Sequence, residues 1–157
     1  MVAKEMLDRL DSRLKIVEDD EAAGEYVRQR MLCYTRTKVP LNRDRLVEPV
    51  RLTLRDADNM IMGGLLANIN TYWRRCSIDI LWIEEEFRNL GYGRALLEAI
   101  EELAKKRDCQ LVAVNTASFL APDFYRKCGY ELCGTTDSYP VKGHKLYVFK
   151  KTLEVSS

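Results

Sequence analysis

The stretch FRNLGYGRALL, residues 87–97, combines an arginine, two glycines one residue apart and the start of an apolar repeat. Backbone N–H groups in a glycine turn and in the first turn of a helix have no helical acceptor, and together with the helix dipole they attract an anion. Gly91 and Gly93 lack Cβ atoms, so a phosphate can approach the main chain closely. The pattern therefore predicts a phosphate-binding loop, with a simple tight turn as the alternative.

Two common phosphate loops do not fit this stretch. The dinucleotide-binding fingerprint needs a third glycine, and that position is Leu96. The P-loop pattern is a glycine, four residues of any type, and then Gly-Lys followed by Ser or Thr. The chain does not contain this pattern. We therefore exclude a Rossmann site and a Walker site.

The elements around the loop are predicted from their periodicity. Leu96, Leu97, Ile100, Leu103 and Ala104 form one apolar stripe of a helix after the loop. Because a strand precedes the loop and another follows the helix, the three elements imply a parallel βαβ crossover. The predicted order is β-α-β-β-β-α-β-α-β-β, with strands at Leu14–Glu18, Val50–Leu54, Met60–Asn70, Ser77–Ile83, Leu111–Val114, Tyr130–Cys133 and Lys145–Lys150, and further helices over Ala22–Tyr34 and Asp123–Cys128.

Composition limits the function classes. The chain has 157 residues, 46% hydrophobic and 31% charged, which is typical of one globular domain. A net charge of +1 gives no reason to expect nucleic acid, and no apolar run is long enough for a membrane span, so we expect a cytoplasmic protein. Five cysteines without a CxxC pair and a single histidine, His144, argue against a metal site and a Cys-His nucleophile. We expect one domain over residues 13–157, and a helical turn or disordered extension over 1–12.

Two motifs resemble one known family. Arg88-Asn89-Leu90-Gly91-Tyr92-Gly93 is similar to the RxxGxG acetyl-CoA loop of the GNAT family of N-acetyltransferases. Asp79–Ile83 looks like that family's fourth strand, and Ala121–Tyr130 resembles its A-x-x-F-Y-x-K-x-G-Y signature. Glu85 stands where the family often has proline, and Ser118 where it often has asparagine. The resemblance covers about residues 14–153 and implies an α/β fold: a mixed, mostly antiparallel sheet with one parallel crossover and helices on both faces.

The resemblance also implies how acetyl-CoA is held. The pantetheine arm would lie where two strands splay apart, beside the main chain of Leu81, Trp82 and Ile83. The pyrophosphate would contact main-chain N–H groups of the loop. For Arg88 itself, direct phosphate contact and a surface role remain equally open. The cofactor-binding residues expected on this basis are Leu81, Trp82, Ile83, Arg88, Asn89, Leu90, Gly91, Tyr92, Gly93, Arg94, Ser118 and Tyr125, with no metal.

The family resemblance implies direct acetyl transfer to an amine. Tyr125 matches the tyrosine that protonates the leaving thiolate, and the N–H of Ile83 would stabilise the oxyanion. Asp79 lies four residues before Ile83, so a regular strand places both on one side, and Asp79 is the first candidate for the base or for a ligand of the amine. Glu84 is the second candidate for the base. Cys128 as an acyl-carrying nucleophile is disfavoured because it lacks an adjacent base.

The acceptor is less defined than the cofactor. A wall of Tyr72, Trp73 and Tyr139 would suit a small-molecule amine or a peptide amine, although each aromatic residue also suits packing. The predicted function is an acetyl-CoA-dependent N-acetyltransferase working through a ternary complex. The alternative is a non-catalytic acyl-CoA-binding module, and a homodimer is possible.

Overall fold

The computed structural model describes residues 13–39 and 47–154. By its internal contacts the chain separates into two compact units, Met1–Asn42 and Arg43–Ser157. The proposed extension over 1–12 lies outside the described residues, and the single domain over 13–157 stays a prediction.

The first unit contains helix α1, Glu21–Lys38. Asp20 caps its start, since its carboxylate accepts a hydrogen bond of 2.9 Å from the N–H of Ala23. The helix is confirmed, and it extends four residues beyond the predicted end at Tyr34. The strand predicted at Leu14–Glu18 is wrong: this stretch has no regular secondary structure. Alternating side chains indicate a strand only where a neighbour supplies backbone partners, and here Leu14, Ile16 and Val17 are exposed.

The second unit is a six-stranded mixed sheet in the order β1-β2-β3-β4-β6-β5. Its strands are β1 Val47–Arg55, β2 Ile61–Asn70, β3 Arg75–Ile83, β4 Leu111–Ala117, β5 Glu131–Asp137 and β6 Lys145–Thr152. A 3-10 turn at Glu85–Phe87, helix α2 at Tyr92–Lys106 and helix α3 at Pro122–Lys127 complete it. Among these strands only β3 and β4 pair in parallel, so the mixed sheet with one βαβ crossover is confirmed.

One apolar core joins α2 and α3 to the same face of the sheet. Leu65, Ala67 and Ile69 of β2 are buried with Leu97 and Ile100 of α2. These β2 residues alternate with Asn68 and its neighbours, which therefore point to the opposite face. The core fixes α2 over β3 and β4, and so fixes the loop that leads into α2.

Candidate active site

The site is a gap between two parallel strands. β3 and β4 pair only from Arg75↔Leu111 to Ile78↔Val114, whereas β4 pairs with β6 on its other side along its whole length, as far as Ala117↔Leu146. A cavity of about 500 Å³ opens at the carboxyl ends of the two strands. Its lining includes the last three residues of β3, the loop before α2, the 119–121 segment and α3. The expected splay of these strands is confirmed.

The end of β3 presents backbone groups to this gap that do not pair with β4. The N–H of Glu84 donates to the carbonyl of Met62 at 2.9 Å, and Ile83 is the next residue in register, opposite Gly63. Residues of an antiparallel ladder alternate between facing the partner strand and facing away. The N–H and C=O of Ile83 and Leu81 therefore point away from β2, whereas those of Trp82 point towards it. A bound chain can pair with both backbone groups of Leu81 and with the N–H of Ile83 as an added strand, whereas the C=O of Ile83 accepts from Arg88.

The loop before α2 has an open anion-binding geometry. Asn89 (φ 61°) and Gly91 (φ 91°) both have positive φ, and Gly91 is the N-cap residue of α2. Within the described chain no side chain caps this end, and the first turn contains no acidic residue. A Cβ built on Gly91 has no atom within 4 Å, so the space before the main chain is open. Of the two glycines predicted to let a phosphate approach the main chain, Gly91 has this open space.

Gly93 lines the gap and also has a packing role that the sequence did not predict. A Cβ at this position would lie 3.1 Å from Cζ of Phe124, which is too close for an ordinary carbon contact. The missing side chain of Gly93 therefore lets α2 pack against α3.

The arginine of the motif, Arg88, and Arg94, directly after the motif, both use their side chains for contacts within the protein. Nε of Arg88 donates to the carbonyl of Ile83 at 2.9 Å, and its guanidinium lies 4.4 Å from the ring centroid of Trp82. Arg94 donates to the carbonyl of Lys127 at 3.0 Å, at the end of α3. These contacts favour the alternative in which Arg88 supports the site and the main chain supplies the phosphate contacts.

Tyr125 forms part of the wall of the gap. It is 6% exposed, stacks on Phe149 at 5.8 Å and meets Phe124 edge-on at 5.2 Å. Burial raises the pKa of Tyr125 to about 12, and the neighbouring Cys128 adds to the shift. The phenol is therefore protonated at neutral pH and can donate a hydrogen bond into the gap.

Cys128 also lines the gap but is poorly suited to attack a thioester. Burial raises the pKa of its thiol, and the opposing effects of Arg94 and Lys151 do not reverse this. Since the thiolate is the nucleophilic form, a raised pKa lowers reactivity.

Asp79 does not share a side with Ile83, because β3 is not regular. A β-bulge interrupts the ladder here: Ile78 pairs with Ala67 and Ile80 with Leu66, which leaves Asp79 as the extra residue. Its carboxylate accepts a bond of 2.6 Å from Asn68, on the face opposite the core, whereas Ile83 packs against the core. The expected geometry was wrong, and Asp79 is not among the residues that line the gap.

The predicted aromatic wall is divided between two ends of the sheet. Tyr72 and Trp73 precede the first residue of β3, so they lie about 26 Å from Ile83 at ~3.3 Å per residue. Tyr139 lies in the loop between β5 and β6, at the same edge as the gap. An acceptor wall that includes Tyr72 and Trp73 is therefore excluded by strand direction.

Nine of the predicted cofactor residues line the gap, and three do not. The three that do not are Leu90, Tyr92 and Ser118. The hydroxyl of Ser118 instead accepts from the N–H of Lys145 at 3.1 Å. Sequence reasoning missed Phe87, Phe119, Leu120, Ala121, Phe124, Lys127 and Cys128 as lining residues. The sequence did contain one signal for these lining residues: two large apolar side chains, Phe119 and Leu120, follow closely after a predicted strand.

Two general findings accompany the site. Within residues 13–39 and 47–154, no three His, Cys, Asp or Glu side chains are grouped so that they could hold a metal ion. No helix in the described part of the chain is long and apolar enough to cross a membrane.

Comparisons with known proteins agree with this geometry. A crystal structure of an acetyltransferase from Bacillus cereus superposes with a TM-score of 0.74 at 32% identity, covering 90% of this chain and 99% of that one. A GNAT family acetyltransferase from Elizabethkingia anophelis with acetyl-CoA bound shares the fold, with a TM-score of 0.52 at 18% identity over 62% of this chain and 72% of that one.

A sequence relative adds a named activity. The blasticidin-S acetyltransferase of Streptomyces morookaense is 32% identical over 81 residues, which are 51% of this chain and 58% of that protein. This chain therefore spans little more than half of that relative. The model of the acetyltransferase (GNAT) family matches residues 15–130. With most of its length matched and its gap, loop and tyrosine in place, the chain belongs to the acetyltransferase (GNAT) family.

Proposed function

We propose that this protein transfers the acetyl group of acetyl-CoA to a primary amine by direct attack within a ternary complex. One observation supports this most strongly: the N–H of Ile83 and the hydroxyl-bearing Tyr125 border the same gap. An N–H donor suits a developing oxyanion, and a protonated phenol suits a leaving thiolate.

The residues of the gap fit acetyl-CoA. The uncapped start of α2 offers N–H groups to a pyrophosphate, and the free edge of β3 offers alternating donors and acceptors to the amides of the pantetheine arm. The co-substrate supplies an acetyl group already activated as a thioester. The chain's contribution is to hold the carbonyl at Ile83 and the sulfur near Tyr125.

The reaction needs no acyl-enzyme. The amine attacks the thioester carbon, the N–H of Ile83 stabilises the oxyanion, and the carbon–sulfur bond breaks as Tyr125 donates to the sulfur. The raised pKa of Cys128 argues against a competing thioester on the protein.

We propose Asp79 as a ligand of the cationic acceptor. Asn68 donates a hydrogen bond to one of its oxygens, and the side chain is exposed at the bulge in the middle of β3. This assignment replaces a direct base role near Ile83, from which the bulge turns the carboxylate away. In Asp79→Asn, KM for a cationic acceptor should rise about tenfold with little change in kcat, whereas Asp58→Asn in the β1–β2 turn should leave both unchanged.

The name of the Streptomyces relative points to small-molecule antibiotics as a first acceptor class. A thiol-release assay would compare blasticidin S, spermidine and a peptide with a free N-terminus. Intersecting initial-rate lines, and activity retained in Cys128→Ala, are the expected results. Parallel lines would contradict the ternary complex, and micromolar acetyl-CoA binding without turnover of any amine would favour the binding module.

The proposed phosphate site can be tested by adding one negative charge to the loop at position 91. Asn and Asp both tolerate positive φ, so Gly91→Asn and Gly91→Asp differ mainly in charge. Calorimetry should show acetyl-CoA affinity at least about tenfold weaker for Asp than for Asn at low salt, with a smaller difference at high salt. Gly143→Asp is the matched control, because Gly143 has φ 93° and equally open space but lies in the β5–β6 loop. Equal affinities for the two Gly91 variants would exclude the pyrophosphate site.

A homodimer remains a prediction. Size-exclusion chromatography with light scattering would give the mass to compare with 18.2 kDa for one chain.

A further inference from the structure

A second polar cluster stands beside the gap, at the ends of β4 and β6. His144, the only histidine in the chain, places Nδ1 3.3 Å from the hydroxyl oxygen of Ser118. Its ring meets Phe119 edge-on, with centroids 5.1 Å apart, and Phe119 is a wall of the gap. The cluster has no part in the chemistry described above.

Backbone bonds hold this cluster rigidly. The N–H of Ser118 donates to the carbonyl of Lys145 at 2.8 Å, and the N–H of Lys145 donates back to the Ser118 hydroxyl at 3.1 Å. The hydroxyl oxygen has a second lone pair, so it can accept from Nδ1–H of His144. In that tautomer Nε2 keeps its lone pair and can take a proton.

The strand directions bring His144 to the reacting edge. β3 and β4 are parallel, so Ile83, the last residue of β3, and Ser118, the first residue after β4, lie at the same edge of the sheet. Phe119 separates His144 from the cavity by a single ring. Neither Asp79, the sequence-based candidate for the base, nor His144 lines that cavity, but the His144 ring is in direct contact with the lining residue Phe119.

We propose that His144, positioned by Ser118, is the general base that takes a proton from the acceptor ammonium. This inference rests on the proposed function. His144 accepts one proton from the ammonium and releases it to solvent, and the neutral amine then forms the carbon–nitrogen bond. A second proton leaves the new nitrogen for solvent, the carbon–sulfur bond breaks while Tyr125 donates a hydrogen bond to the sulfur, and the thiolate takes one proton from solvent. The products are one amide, one thiol and one released proton.

The charged and titratable neighbours of His144 are limited. Lys145 follows it in the chain and pairs with Asp137 of β5 at 3.3 Å. Tyr139 and Lys142 lie in the same loop, and the N–H of Tyr139 donates to the His144 carbonyl at 3.1 Å. From β4 and the segment after it, the groups that meet the ring are Ser118 and Phe119, which carry no charge.

The test uses the full-length, tag-free protein and the best acceptor among blasticidin S, spermidine and the peptide. We expect His144→Gln to lower kcat about 100-fold at neutral pH and to remove the acidic limb of the pH–rate profile. Its acetyl-CoA affinity in calorimetry should equal that of the wild type. Lys142→Gln, in the same loop, is the matched control and should keep the wild-type profile.

A spectroscopic measurement separates positioning from folding. Because there is one histidine, its ring ¹⁵N signals need no residue assignment, and their couplings to the ring C–H protons distinguish Nδ1 from Nε2 and so report the tautomer. Ser118→Ala should shift the tautomer away from Nδ1–H and lower kcat less than His144→Gln does. A His144→Gln variant within threefold of wild type, or with a parallel pH profile, would overturn the role of His144 alone. A wild type inactive with every acceptor would overturn the proposed function together with it.

Discussion

The hydroxyl of Tyr125 can be removed with little other change. In Tyr125→Phe the ring keeps its stacking on Phe149 and its edge contact with Phe124, both of which depend on the ring alone. The residue is 6% exposed, so the substitution leaves the burial of the wall unchanged. Any loss of activity therefore reports on the hydroxyl.

The size of the effect follows from the protonation state. With the pKa of Tyr125 at about 12, the phenol is fully protonated at pH 7. A thiol has a pKa of about 8.5, so complete transfer from the phenol to a thiolate is uphill, and the hydroxyl acts chiefly by donating a hydrogen bond. A hydrogen bond to a charged group contributes ~1.5–3 kcal/mol, which corresponds to a fall in kcat of about 10- to 150-fold.

The assay is thiol release at saturating acetyl-CoA, with acetyl-CoA affinity measured by calorimetry. We expect kcat to fall and the affinity to stay within about twofold, since the hydroxyl acts after binding. Tyr147→Phe is the matched control, because Tyr147 also packs on Phe149 but does not line the gap.

The raised pKa of Tyr125 also predicts a pH dependence of stability. The folded pKa lies above the ordinary value of 10.0, so the folded state holds the proton more tightly. This contribution to the free energy of unfolding is complete below pH 10 and is lost as pH rises from 10 to about 12, and Tyr125→Phe should lack that loss.

For the catalytic prediction, a decrease in the kcat of Tyr125→Phe of less than threefold, or a basic limb of the wild-type rate profile at pH 10, would refute the role of Tyr125 as the hydrogen-bond donor to the sulfur.

Two further predictions concern the support of the site. Lys151 donates to both carboxylate oxygens of Glu101 at 3.1 Å, and the Glu101 side chain is 9% exposed. Lys151→Met should therefore lower the free energy of unfolding by about 3 kcal/mol in urea titrations, and adding Glu101→Leu should restore most of it; an equally unstable double variant would contradict the ion-pair account. Gly93→Ala should cost ~1–2 kcal/mol through its contact with Phe124, and Phe124→Leu should relieve part of that cost, whereas strictly additive effects would disprove the contact.

The sequence alone predicted the local machinery well. The glycine loop, the apolar stripe of α2 and the short helix α3 could be predicted from consecutive residues, because helix caps, turns and amphipathic faces depend on neighbours along the chain. The crossover followed from the order of these elements, and the two motifs identified the family. The failed strand at Leu14–Glu18 shows the limit of this reasoning, since alternation does not reveal whether a partner strand is present.

The functional meaning of single residues depended on contacts far apart in the sequence. The direction of Asp79 depends on a bulge opposite Leu66 and Ala67, and the role of Gly93 depends on Phe124. Ser118 and His144 are brought together only by the pairing of β4 with β6. Register and strand direction are collective properties of the folded sheet, so a one-residue bulge reverses which face a side chain occupies. The chain's local order therefore determined which elements form, and the tertiary structure decided which side chains face the gap.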